Sequence, residues 1–580
     1  MTTPAAVFFS FSFCLFLSFL CLFLVCFALC NQTIMAVSVP GLVAVVVFYV
    51  IILVIGIWAS RKSRKVEKTC AGSKSEVTMV GGRNINVLVG VFTMTATWVG
   101  GGYIMGTAEA VYSPTQGLIW AMGPPAYLIN FVLGGLFFAK PMRSKRYVTM
   151  LDPFQHRYGN IFTATLLLPA LVSDILWVAC ILAALGGTMN VILGLSSALS
   201  IVISAAVSII YTFLGGLYSV AYTDIIQLSF IFISLWLCVP FLLLSPAVSD
   251  ISQSQTYLNQ SNENAWLGEL ELADAGKWAD EMLLLALGGL AYQALYQRIL
   301  SAASSAQAQV TCYAAAGTVF IMGIPSVVIG AAAASADWNK TAYGLPPPFE
   351  RGEAGKILPL ALQNLTPTWL SVLGIGAVAA AVMSSMDSVL LSSASMFTQN
   401  IYKTTLRKQA SEQELQRVIR VSVLLVGLAG TGLAFSDDSV FALWMLSGDL
   451  LYCVVLPQLV GVLHFSCANS YGAISGYVVG LTLRVLCGER VLGIPPVILF
   501  PGWREQDGVI TQYFPYRTLA MLSSVISIFT VSWLVGLAFC HQLIPRSWDI
   551  LRVFEEKKEA EGDEIPVPLG EKNHILNTKL

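Results

Sequence analysis

Residues 90–112 read GVFTMTATWVGGGYIMGTAEAVY, and the reading of this stretch decides how the rest of the chain is arranged. An apolar start at residues 85–92 gives way to four Thr and four Gly with Trp98 at the centre, a composition poorly suited to a plain lipid-facing helix. Gly100, Gly101 and Gly102 have no side chain and raise the entropic cost of the helical state, so the carbonyls of residues 93–99 can leave their i to i+4 bonds. Non-helical backbone at membrane depth is tolerated only where protein buries it or where it lines a cavity. Carbonyls there commonly hold a small cation. Close helix packing through small residues is the competing reading of the same stretch.

Composition sets the class. The chain has 580 residues, of which 56% are hydrophobic and 11% charged, and its mean hydropathy is +0.73. Soluble globular chains are near a quarter charged, so this is an all-α polytopic membrane protein in contact with a lipid bilayer. The net charge of -1 and the scatter of basic residues over short loops argue against nucleic acid as a partner. Four of the 12 Cys (Cys14, Cys21, Cys26, Cys30) fall in the first apolar run, and the others form no CxxC pair, so neither a zinc site nor a disulfide framework is indicated.

Residues 7–29 are almost unbroken Phe, Leu, Val and Cys, which suits a signal-peptide core or an extra span. Residues 1–34 are expected to be an apolar extension without a part in the mechanism, since Met35 stands just before the first ordinary span at 41–60. The loop that follows holds seven basic residues (Arg61, Lys62, Arg64, Lys65, Lys68, Lys74, Arg83) against Glu67 and Glu76, which marks it as cytoplasmic. Twelve further apolar runs begin near 85, 117, 161, 192, 224, 280, 310, 369, 416, 440, 470 and 518, for thirteen transmembrane helices in all. The loops at 140–159 and 400–420 are basic and inside. The loop at 246–281 is acidic and carries the sequon at Asn259, and the next loop on its side carries the one at Asn339, so both face outward as glycosylation requires. A third sequon, at Asn364, is discounted because it lies close to a span. The expected organisation is therefore a transmembrane domain over 35–545 and a charged cytoplasmic tail over 546–580.

Two other spans stand out. Residues 279–300, ADEMLLLALGGLAYQALYQRIL, place Gly288 and Gly289 mid-span with Tyr292, Gln293 and Tyr296 just beyond, a second broken helix. Five spans start from 85 up to 280, the spacing of an inverted repeat of five spans each, whose discontinuous first helices meet at the midplane. Residues 371–397 hold Ser384, Ser385 and Ser388 with Asp387 among Ala, Val and Met. A mid-span acid costs about 2.5 to 3.5 kcal/mol on insertion scales and so faces a partner or a cavity. A cation site is favoured over serines bonding back to their own helix for Ser384, Ser385 and Asp387; back-bonding is accepted for Ser392, Ser393 and Ser395.

Several strings together resemble the sodium/solute symporter family, and within it the high-affinity choline transporters. They are FTMTATWVGGGYIMGTAEAVY, LGGLFFAKPMRSKRYVTMLDPFQ at 133–155, GGLYSVAYTDIIQL at 215–228, DWNKTAYGLP at 337–346 and AAVMSSMDS at 380–388. The resemblance covers about residues 35–545. It implies a leucine-transporter-like inverted five-plus-five helix repeat and choline uptake across the plasma membrane by alternating access, driven by sodium and dependent on chloride. It also implies placement in presynaptic terminals and synaptic vesicles and a supply of choline for acetylcholine synthesis, and it leaves a homo-oligomer open.

Carried over residue by residue, the resemblance places the choline ammonium among Trp98, Tyr127, Trp177, Tyr292 and Trp444. A quaternary ammonium has no hydrogen to donate, so aromatic faces are what recognise it. Trp58, Trp236, Trp338, Trp369 and Trp533, near span ends, read as interfacial anchors. Sodium is implied on the carbonyls of Thr93, Ala96 and Ala381 and the hydroxyls of Ser384 and Ser385, with Asp387 for a second ion. The family has Trp where this chain has Tyr292, and Asp where it has Asn84, so substrate choice stays open. Glu489 is a further acid the family shares, either a helix-end carboxylate held by Arg484 or Arg490 or a participant in transport. A sodium symporter for another small organic solute is the alternative function, and a non-transporting sensor or channel is the third. A sugar carrier would need midplane amides and hydroxyls. An anion carrier would need a buried Arg, whereas the basic residues are expected in loops or at span ends. No nucleophile and base pair lies in a cavity-lining stretch, which speaks against an enzyme.

Overall fold

The computed structural model describes residues 73–551 apart from gaps at 194–195, 214–215, 252–264, 436–438 and 507–508, together with parts of 50–61 and residues 553–554. The expected extension at 1–34, most of the span at 41–60, Asn259 and most of the tail lie outside the described residues.

A short helix α1 (Lys74–Val80) leads into the first bent pair, α2 (Val87–Trp98) and α3 (Gly101–Tyr112). There follow α4 (Leu118–Ser144), α5 (Asp152–Leu193), α6 (Ser197–Phe213) and α7 (Leu217–Leu243). The second bent pair is α8 (Ala275–Ala291) and α9 (Gln293–Ser301). After it come α10 (Ser305–Ala334), the short α11 (Ile357–Leu365), α12 (Thr368–Leu406), α13 (Glu412–Leu433) and α14 (Val440–His464). The chain ends in α15 (Ser470–Leu486) and α16 (Tyr516–Cys540), joined through a hairpin of β1 (Arg504–Gln506) and β2 (Val509–Thr511). Helix starts are set by capping chemistry: Asn86, Ser304, Ser411, Ser439 and Asn469 each accept the backbone N–H three residues on.

Both breaks expected from glycine runs are present. α2 and α3 meet at 53° and α8 and α9 at 48°. At the first, Val99 leaves helical geometry and Gly100 is extended; at the second, Tyr292 is extended. Among the described residues eight helices are long and apolar enough to cross a membrane, or ten when each bent pair counts as one span. The expected runs at 192 and 470 are α6 and α15, of 17 residues each, at the short end of what spans a hydrocarbon core.

Equivalent members of the two five-span units pack on each other: α4 on α10, α5 on α12 and α6 on α13. That pairing is what a two-fold relation between the units gives, and it leaves α2, α3, α8 and α9 at their junction. The Trp residues expected as interfacial anchors divide by exposure. Trp58, Trp369 and Trp533 are 50%, 54% and 63% exposed. Trp338 is instead buried, its indole donating to the Ala333 carbonyl at 3.2 Å. Asn339 is exposed, whereas the Asn364 amide bonds back to Leu360 of its own helix.

Candidate functional site: an aromatic cluster beside a broken helix

The carbonyls released at the α2–α3 break are met from α12. Ser384 donates to the Ala96 carbonyl at 2.8 Å and contacts the Ala381 carbonyl at 3.1 Å. Ser385 donates to the Thr97 carbonyl at 2.9 Å, and the Thr97 hydroxyl donates to the Thr93 carbonyl at 2.7 Å. Thr93, Ala96, Ala381, Ser384 and Ser385 thus converge within one buried patch. The donors are hard oxygens, carbonyl and hydroxyl, which suit an alkali cation. Gly100 is needed here for space: a Cβ on it would stand 2.2 Å from the Ser385 hydroxyl. Asp387 is placed differently, its carboxylate accepting from Thr212 of α6.

Next to this patch lies a buried ion pair. The Thr93 hydroxyl donates to Asp224 of α7, and Arg298 of α9 lies 3.9 Å from the same carboxylate. Arg298 also donates to Ser388 and to Gln297. Arg298 and Arg484 stand in the last turns of α9 and α15, at span ends as expected, but both are buried, so the expected lack of a buried Arg is corrected. Arg298 is 1% exposed, and Arg484 is buried with Asp449 and Glu489. Each guanidinium is admitted because it finds a carboxylate and further acceptors, without which burial would cost several kcal/mol. Glu489 is the helix-end carboxylate held by Arg484, and its other oxygen accepts from Val491 N–H at 3.2 Å.

The five aromatic residues come from four helices and the second break, and they form one buried cluster. Trp98 lies edge-on to Trp177, with centroids 5.9 Å apart, and to Phe131 at 5.2 Å. Trp177 and Tyr292 are 4.6 Å apart. Tyr127 and Trp444 are 5.7 Å apart, and the indole donates to the phenol at 2.7 Å. Ser447 ties the two groups, accepting from Tyr292 at 3.1 Å and donating to the Trp444 carbonyl at 2.7 Å. Trp444 lies directly on backbone, since a Cβ on Gly102, Gly106 or Gly123 would come within 2.7 to 3.1 Å of its ring. On the next turn of α3, Glu109 accepts from Ser439 and from Phe441 N–H, so the first turn of α14 is clipped to α3.

The pattern of the sodium:solute symporter family matches residues 79–480. The chain belongs to that family. Membership makes it a sodium-coupled solute symporter embedded in a membrane and not an enzyme. The chain is similar to the human high affinity choline transporter 1, at 48% identity over 94% of this chain and 93% of the relative. To the Torpedo marmorata protein of the same name it is 47% identical over 91% of each. The Escherichia coli sodium/proline symporter is 26% identical over 81% of this chain and 91% of that protein. Among solved structures, the substrate-bound outward-open state of a Na+-coupled sialic acid symporter superposes with a TM-score of 0.66. It is 18% identical and covers 86% of this chain and 98% of its own, which establishes the leucine-transporter-type fold.

Sequence reading missed Tyr103, which stacks on Tyr127 at 5.5 Å and donates to the Val319 carbonyl at 2.7 Å. Its signal was position, immediately beyond the three glycines. Phe131, Asp224 and Arg298 were also missed, and only their partners on distant helices show what they do.

Proposed function

We propose that this chain takes up choline across the plasma membrane together with sodium, by alternating access. The observation that carries the reading is the buried cluster of Trp98, Tyr127, Trp177, Tyr292 and Trp444 set beside the Ser384–Ala96 and Ser385–Thr97 contacts of the first break. A permanent cation without hydrogen-bond donors is recognised by aromatic faces, each worth about 0.5 to 2 kcal/mol once desolvated. In this reading sodium sits on the carbonyls of Thr93, Ala96 and Ala381 and the hydroxyls of Ser384 and Ser385, displacing the serine protons from the backbone. The ion joins α2 to α12 as the substrate joins α2, α4, α5 and α14, so the two loads favour the same closed arrangement. Asp387 serves a second ion, and Glu489 contributes through the Arg484 network.

The names of the similar transporters support choline as substrate. Chloride dependence, presynaptic and vesicular placement, and a supply of choline for acetylcholine synthesis complete the proposal and rest on the same resemblance. Uptake of radiolabelled choline into cells expressing the full chain tests it. Saturable accumulation that disappears when sodium is replaced by N-methylglucamine is expected. Uptake indifferent to sodium, or none above control at normal surface expression, would overturn the reading.

A further inference from the structure

Near the middle of α5, one helical turn before Trp177, stands Asp174, which is 2% exposed. Residues three apart on a helix share a face, so the carboxylate points toward the side on which Trp177 meets the cluster. Trp177 in turn meets the Tyr292 ring at 4.6 Å. Ser393 of α12 donates to one carboxylate oxygen at 2.6 Å, so Ser393 looks across to α5 as well as back along its own helix.

Three other buried carboxylates have a counter-charge that Asp174 lacks. Asp224 has Arg298 at 3.9 Å, Asp449 has Arg484 and Arg517, and Asp280 has Arg517 at 3.7 Å. Asp174 has the Ser393 hydroxyl and, among the described residues, no basic side chain within ion-pair distance. A carboxylate at membrane depth without a counter-charge is expensive and marks a pathway for something charged. A substrate that is itself a permanent cation supplies what is missing.

We propose that Asp174 is the counter-charge for the transported ammonium, held by Ser393 one turn from Trp177 and setting the site's preference for a cation over an uncharged molecule of the same shape. The inference rests on the choline reading above. The aromatic faces give contact area and a weak field, which an uncharged isostere shares in large part. The carboxylate adds a through-space attraction that only the cation feels, and at the effective dielectric of a protein interior it remains significant beyond contact distance.

The test compares choline with 3,3-dimethylbutan-1-ol, its uncharged carbon isostere, as competitors for labelled choline on membranes holding the full-length protein. Asp174→Asn is expected to weaken choline about tenfold and to leave the isostere within about twofold, so the cation preference falls about tenfold. Asp174→Glu, which keeps the charge, is expected to retain most of the preference. Ser393→Ala unpins the carboxylate and should move the preference about threefold in the same direction. Equal weakening of choline and isostere in Asp174→Asn would show a merely structural role, and so would an unmoved preference. If Asp174→Asn does not reach the membrane, an unmoved preference in Ser393→Ala overturns the proposal instead. A parent protein without saturable choline binding defeats the choline reading itself. A parent that discriminates while both variants match it defeats only Asp174.

Discussion

At the break between α2 and α3 the carbonyls of Ala96 and Thr97 are met by serine hydroxyls arriving from α12, at 2.8 and 2.9 Å. Around the break between α8 and α9 the carbonyls of Ala286 and Leu290 are met by the Asn130 amide at 3.0 Å and the Tyr296 phenol at 2.6 Å. A serine hydroxyl turns about one bond, so it can swing its proton away and present a lone pair to a cation. An amide nitrogen has no lone pair to offer, and the Tyr296 ring is fully buried. In the sodium reading the first break can therefore exchange a proton donor for an ion, while the second holds a fixed shape. What they share is an aromatic side chain at the bend, Trp98 from the first and Tyr292 from the second, both delivered to the rings around Trp177.

The largest effect should come from filling the exchangeable break. Gly100→Ala drives a methyl into Ser385, 2.2 Å from its hydroxyl, and is expected to abolish sodium-driven uptake while the protein still reaches the surface. Gly288→Ala at the fixed break has its nearest neighbours farther off, Tyr452 Cβ at 3.1 Å and the Gly448 carbonyl at 3.3 Å. It should lower the uptake rate and leave the sodium half-saturation where it was. If the two variants behave alike, the contrast between the breaks is false.

The rings delivered by the two breaks differ next. Trp98→Ala removes a buried indole, and loss of one desolvated face at about 2 kcal/mol weakens choline binding about thirtyfold. Tyr292→Phe keeps a face and loses only the bond to Ser447, so affinity should fall by threefold or less. Equilibrium binding is the measurement, because a tighter or looser site also changes release and hence turnover. Trp98→Ala binding choline as well as the parent would place the substrate elsewhere.

Much of this contrast is legible in the sequence. The triple glycine at 100–102 and the pair at 288–289 announced both bends, since glycine inside an apolar run is costly unless the backbone needs the freedom. Ser384 and Ser385 announced the hydroxyls that meet the first break, because a cluster of hydroxyls in an Ala- and Val-rich span calls for a polar partner. Arg298 did not announce itself. In YQRIL it reads as a basic residue closing a span, and only the arrival of Asp224 from α7 and Ser388 from α12 draws it inward. Asn130 was silent for the same reason, one amide in an apolar run whose carbonyl partner lies on α8. Trp338 went astray because a Trp near a span end reads as an interfacial anchor, while here a local indole-to-carbonyl bond allows it to be buried. Periodicity and small-residue runs are local and leave a signature. A single polar residue acquires its meaning from a partner that the chain brings from afar.

A smaller effect than that of Trp98→Ala separates the two kinds of donor directly. Ser385→Ala deletes a hydroxyl that the sodium reading makes a ligand, and α12 keeps its helix because that hydroxyl is not part of the backbone ladder. The Thr97 carbonyl loses its partner in the ion-free state, and the ion loses one of its oxygens. A single neutral contact of this kind is worth about 1 kcal/mol, so the sodium concentration for half-maximal uptake should rise about fivefold. Tyr296→Phe strips the Leu290 carbonyl of its partner at the fixed break by a change of similar size. That carbonyl is buried and gains no replacement, so the protein should lose about 1 kcal/mol of stability, read as a lower melting temperature in detergent. Its sodium half-saturation should stay that of the parent, since nothing at that break trades places with an ion. An unchanged half-saturation in Ser385→Ala removes the hydroxyl from the ion site, and a raised one in Tyr296→Phe means that the second break also takes part in sodium binding.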